Sequence, residues 1–291
     1  MIIGISGKKT VGKNLVGKII QYLTNKSNVY PFDLKLDYSY RSNWKQVSFA
    51  DKLKDIICLL IGCSRDQLEN ESFKSKELGE EWWYWYMKLD GGYSPIILDY
   101  LTTTKKQLKN YEGLELVKPT PRFLLQFIGT NLFRNQLRPE IWVTSLMSEY
   151  KPYPKGVAHD LKNWSEVYRH TSCKNCGKQY SGWKRQYLCK ECIEDDSVQF
   201  YPNWIITDTR FENELEAVKK KGGITIRVNR PCDICGGSGY HKMSCPVSKS
   251  GEHLSETSLD KAEFDYVIDN NSDVESLIEK VRKILVTEKI I

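Results

Sequence analysis

The chain lacks any apolar run near the roughly 18 residues that a membrane-spanning helix needs, so no membrane partner is expected. It lacks a basic stretch ahead of its short apolar start, which argues against a secretory leader and for a cytoplasmic protein (of a host cell, if the chain is viral). Strong charge of one sign is also missing. Against 37 acidic residues stand 43 Lys and Arg, a net of +6 that suits small polyanions and does not require nucleic acid. No internal repeat is visible beyond the reuse of one cysteine spacing, which sets aside a repeat architecture. What is present is a chain of 291 residues, 40% hydrophobic and 27% charged, long enough for one large α/β domain with sizeable insertions.

The firmest motif stands at the front. Met1 to Ile5 read as a short buried strand, followed by Gly7-Lys8-Lys9-Thr10-Val11-Gly12-Lys13-Asn14. Leu15, Val16, Ile19, Ile20 and Leu23 then recur at helical spacing. Strand, glycine loop and helix form the context that a phosphate-binding loop needs. Glycines let backbone N–H groups turn toward phosphate oxygens, and the helix N-terminus adds partial positive charge. Lys13 has the position that reaches β- and γ-phosphates, so residues 7–14 are the expected nucleotide cradle. Asn14 stands where a Ser or Thr hydroxyl normally meets Mg²⁺, although its amide oxygen can still accept or ligate.

Further along, Gln46–Ala50 reads as a second strand and Asp51 to about Ile61 as a helix. Residues 64–118 read as irregular and polar, interrupted by WWYWY at 82–86, whose rings suit core packing, base stacking or a subunit contact. A helix from Pro121 is expected to end or bend at Gly129-Thr130, with one or two more helices over 132–150. Strands are predicted at 204–207, 224–228 and 266–268, and helices over 212–221 and from Asp273 to about Val286. This alternation predicts an α/β fold with a parallel sheet flanked by helices. The core is then in three parts, residues 1–152, 201–230 and 252–291. Between them lie a zinc-ribbon-like insertion over 153–200 and a Cys/His insertion over 231–251.

Asp208 closes an apolar strand, where a carboxylate holds Mg²⁺ or its water, orients an acceptor, or caps the next helix. Arg210, two residues on, can pair with a phosphate bidentately. Arg122 and Gln126 lie four apart on one helix face, either as a phosphate-plus-base reader or as a solvated face.

Together GKKTVGKN, VSFADKLKD, TPRFLLQFIGTN with Trp142, IITDTRFENE, and NRP with the later His253 and Glu256 resemble the deoxynucleoside monophosphate kinases of large tailed bacteriophages. More broadly they resemble the nucleoside monophosphate kinase superfamily, which often carries Asp at the position of Asn14. The resemblance implies a phosphate-loop kinase fold and transfer of the ATP γ-phosphoryl group to a deoxynucleoside 5′-monophosphate with Mg²⁺. It makes Lys13, Arg122, Asp208 and Arg210 the catalytic set. Lys9, Phe49, Ala50, Lys54, Gln126 and Trp142 would line the acceptor pocket, and Glu214 would position Arg210. A homodimer is compatible with it. A dephospho-coenzyme A kinase-like enzyme and a zinc-containing nucleic-acid-binding protein are the alternatives.

Seven of the nine cysteines fall between residues 173 and 245, which favours metal over disulfides. Cys173-x₂-Cys176-x₁₂-Cys189-x₂-Cys192 has zinc-ribbon spacing, and four thiolates would close a structural Zn²⁺ shell. Cys232, Cys235, His241 and Cys245 are expected to form a second site, with His253 a competing ligand. Lys174, Lys178, Lys184, Arg185 and Lys190 make the first module basic. Cys58 and Cys63 read as core thiols.

Overall fold

The computed structural model describes residues 1–25, 31–39, 42–88, 95–152, 169–173, 175–182, 188–195, 197, 199, 201–231 and 257–291. They divide into two compact units, one of Met1–Phe49 with Leu146–Ile291 and the other of Ala50–Ser145.

The first unit is built on a five-stranded sheet: β1 (Ile2–Ser6), β2 (Trp44–Val47), β3 (Asn203–Thr209), β4 (Ile224–Asn229) and β5 (Tyr266–Asp269). Across the sheet the order is β2-β3-β1-β4-β5, and every neighbouring pair is parallel. Parallel strands are covered on both faces, which is why β1, β3 and β4 read as near-continuous Ile and Val runs. Helices α1 (Lys13–Leu23) and α3 (Val274–Thr287) cover one face. Val16, Ile19 and Ile20 of α1 share a core there with Ile3, Ile5, Ile226, Leu277, Val281 and Leu285. Side chains alternate along a strand, so Ile2 and Gly4 belong to the other face, against Val218 of α2 (Glu212–Lys220). The strands at 203–209, 224–229 and 266–269 lie where the apolar runs predict them. Asp273 caps α3 by accepting from the Ser276 N–H at 2.8 Å.

The order places β1 at a switch point. From β1 the chain steps to β2 and β3 on one side, then crosses to β4 and β5 on the other. Crevices at such points, beyond the carboxyl ends of the strands, are where α/β sheets bind ligands.

The second unit corrects the reading of 64–118 as irregular. Helices Arg65–Glu69 and Glu71–Ser75 start at capping residues Ser64 and Asn70. WWYWY feeds a strand, Tyr84–Met87, central in an antiparallel sheet between Ile96–Asp99 and Glu115–Val117. Its aromatic rings are half-buried, and Lys118 sits 4.1 Å over the Trp83 ring. Helix Pro121–Gln126 begins as predicted, with Thr120 capping the Phe123 N–H at 3.1 Å. It does not end at Gly129-Thr130 but continues as a π-helix, Phe127–Leu137. Among the described residues no helix is long and apolar enough to cross a membrane.

Candidate functional site

The loop after β1 has the backbone its sequence calls for. Gly7 has φ 155°, and a Cβ there would stand 2.5 Å from the Val228 carbonyl oxygen and 2.7 Å from Val11 Cγ2, so only glycine fits. Thr10 adopts φ 65°, a costly conformation for a β-branched residue that clusters at binding loops. The Lys13 ammonium donates to the carbonyls of Gly7 at 2.7 Å and Lys8 at 2.6 Å, so its charge is folded over the loop. Asn270, just past β5, donates to the Val11 carbonyl at 2.9 Å and braces the loop from behind. Lys9 and Asn14 are exposed.

Asp208 lies within β3, next to β1. Its carboxylate accepts from the Phe49 N–H at 2.9 Å and from the Ser48 hydroxyl, tying the end of β2 to β3. The N-cap of α2 is Phe211, not Asp208. Glu214 is 1% exposed and accepts from the Arg210 N–H at 2.7 Å and the Phe211 N–H at 3.2 Å. It therefore positions Arg210 through the backbone and satisfies the two N–H groups just ahead of α2. Glu214→Ala is expected to cost about 1–3 kcal/mol, because two N–H groups lose their acceptor. Urea midpoints measure this. Glu214→Gln should recover most of the loss, and an unchanged midpoint for the alanine variant would refute the role.

A cluster beside the loop escaped the sequence reading. Arg227 on β4 donates to Ser6 Oγ at 3.1 Å and to Asp260 at 3.0 Å, while Lys8 lies 3.5 Å from the same Asp260 carboxylate. All three charged side chains are about nine-tenths covered by neighbours (11%, 14% and 15% exposed). The arginine interrupting Ile224-Thr-Ile-Arg227-Val was a legible signal. Nothing marked Asp260.

The remaining predicted residues lie in the second unit, except Phe49, which is buried at 2% in the first. Arg122 pairs with Glu71 at 2.6 Å, and Lys54 with Glu69 at 2.6 Å. Gln126 is exposed, Ala50 precedes helix Asp51–Ile61, and buried Trp142 donates to the Gly129 carbonyl at 2.9 Å.

Cys173, Cys176, Cys189 and Cys192 come together, with all ligand atoms within 4.8 Å of one another and Cys176 and Cys189 sulfurs 3.6 Å apart. A tetrahedral shell with Zn–S of about 2.3 Å needs sulfurs about 3.8 Å apart. The set fits. Local structure explains it: strands Arg169–Ser172 and Gln179–Gly182 pair as a hairpin, and Cys173 accepts from the Gly177 N–H at 2.9 Å. Cys189 and Cys192 start helix Lys190–Glu194. Burial opposes ionisation of Cys173, but N–H groups of Cys176, Cys189 and Asn175 outweigh it and bring the thiol down to about 6. Cys189 goes the other way. The Cys192 N–H favours its thiolate, yet burial, Glu191 and the neighbouring sulfurs push it up to about 12. Four thiolates this close need a cation among them. Cys232, Cys235, His241, Cys245, His253 and Glu256 lie outside the described residues, as do Lys174, Lys184 and Arg185. The basic side chains that are described are countered: Lys178 pairs with Glu191, and Lys190 lies 3.8 Å from Glu194.

The chain is thus a mixed α/β protein with a parallel central sheet flanked by helices and a four-cysteine cluster able to hold zinc, and neither a family model nor a curated protein matches it.

Proposed function

We propose that this chain is a phosphate-loop kinase that transfers the γ-phosphoryl group of ATP to a deoxynucleoside 5′-monophosphate, giving dNDP and ADP. The observation that carries the reading is the Gly7–Asn14 loop at the carboxyl end of the switch-point strand, with the Lys13 ammonium folded over it. Beside it, on the next strand, stands the Asp208 carboxylate. Anchoring a polyphosphate needs loop N–H groups and one fixed cation, and these residues supply both.

Phosphoryl transfer asks the protein for positioning and charge neutralisation more than for covalent chemistry. Lys13 would neutralise charge developing on the β- and γ-oxygens, and Arg210, held by Glu214, would hold the migrating group. The Asp208 carboxylate, tied down by the Phe49 N–H and the Ser48 hydroxyl, would serve Mg²⁺ directly or through water. Asn14 offers an amide oxygen for the same ion, whose chemistry is to offset charge on the phosphates.

The test is an acceptor screen with ATP and Mg²⁺. ADP should form only when a monophosphate is added, with a dNMP among the best acceptors. No turnover with any dNMP or NMP would sink the reading. Widening the screen to dephospho-coenzyme A separates the nearest alternative. The paired lysines of the cysteine module give no support to a nucleic-acid surface.

A further inference from the structure

The sequence reads Cys58 and Cys63 as core thiols, and the structure corrects this. Both are half-buried, at the solvent-reachable end of helix Asp51–Ile61, next to Leu59 at 84% exposed. The helix stops because Gly62 takes the left-handed conformation at φ 66°, and the Cys63 N–H then donates back to the Cys58 carbonyl at 3.1 Å. The Gly62 N–H shares the same Cys58 carbonyl, and such a left-handed glycine cap brings together the side chains at its two ends. In most such turns that contact is between hydrocarbons. Here it is between thiols, with sulfurs 3.8 Å apart.

We propose that Cys58 and Cys63 form a reversible dithiol–disulfide site, closed by exchange with a low-molecular-weight disulfide. A disulfide needs sulfurs about 2.05 Å apart, so closure asks for under ~2 Å of sulfur movement. The turn holds the two sulfurs in contact, and the half-exposed position of both thiols admits a small reagent. One cysteine thiolate attacks a sulfur of the small disulfide, forming a mixed disulfide and expelling one small thiolate. The second cysteine thiolate attacks the protein sulfur of that mixed disulfide, forming the Cys58–Cys63 bond and expelling the other. The protein loses two electrons and two protons, and the small disulfide gains them as two thiols. Burial first, and then the Cys63 sulfur, hold the Cys58 thiol above its ordinary value.

The inference stands apart from the proposed kinase activity and is read without it. The zinc-loaded full chain is equilibrated with glutathione at a series of reduced-to-oxidised ratios, alkylated, cut with trypsin and weighed. Both cysteines fall in one tryptic peptide, Asp55–Arg65. At oxidising ratios that peptide should escape alkylation and be two hydrogens lighter, and reductant should return it to the doubly alkylated form. With Cys58→Ser, Cys63 should instead accumulate a lasting glutathione adduct, which the unaltered chain resolves. A doubly alkylated peptide at every ratio, or stable glutathione adducts on the unaltered chain, would overturn the proposal.

Discussion

Lys13→Ala is expected to lower turnover at saturating ATP by about 10²–10³-fold, the loss that follows removal of one preorganised charge donor from a transition state. Two roles compete for this residue, and they leave different traces. As a brace, the ammonium holds the loop through the Gly7 and Lys8 carbonyls at 2.7 and 2.6 Å. Loss of that brace alone would weaken ATP binding and lower the unfolding midpoint, with kcat largely kept. As the charge that meets the transferring phosphoryl group, it would be missed mainly in the transition state, so kcat would fall while the ATP Kd moved less than about tenfold. Steady-state kinetics and direct ATP titration of the same variant separate the two. Turnover within tenfold of the parent would remove Lys13 from the chemistry.

The parts of the site that were legible in sequence are those built from neighbours along the chain. β1, its loop and α1 are contiguous, and their apolar spacing, glycines and lysine each carry a local physical meaning. The same holds for Asp208 at the end of β3 and for the paired C-x-x-C turns. What stayed hidden is set by tertiary structure. Asp260 meets Lys8 and Arg227 only because β4 lies beside β1, and no local pattern records that adjacency. The fold of 64–118 was missed for another reason. Its strands are three or four residues long, and the aromatic run fills both faces of its strand, so no period of two could show. The π-helix over 127–137 carries ordinary helix-forming spacing, and nothing in that spacing distinguishes it from a continued α-helix.

Removing zinc is expected to unfold the cysteine module while leaving the parallel sheet intact. Ordering each residue costs about 1–2 kcal/mol. Against that cost the module's two four-residue strands and five-residue helix bury, among the described residues, little besides Cys173, Leu188, Cys189 and Cys192, with Tyr180 and Ile193 packed alongside. A buried leucine contributes only about 1.5–3 kcal/mol. Structural zinc in a four-ligand shell contributes an apparent ~10–16 kcal/mol at neutral pH, enough to decide the balance. Cys189→Ser should therefore lower the zinc content of the chain by one equivalent. After chelation, or in that variant, trypsin should cut rapidly at Lys178 and Lys190, whereas the helices packed on the central sheet keep their protection. Cys189 is the informative position because it is buried and its sulfur touches that of Cys176 across the shell. A zinc count unchanged by Cys189→Ser would remove Cys189 from the shell, and equal protease resistance with and without metal would show that the module holds its shape without the ion. In that case the convergence of four sulfurs would need another cause, because at this spacing their thiolates repel one another unless a cation lies between them.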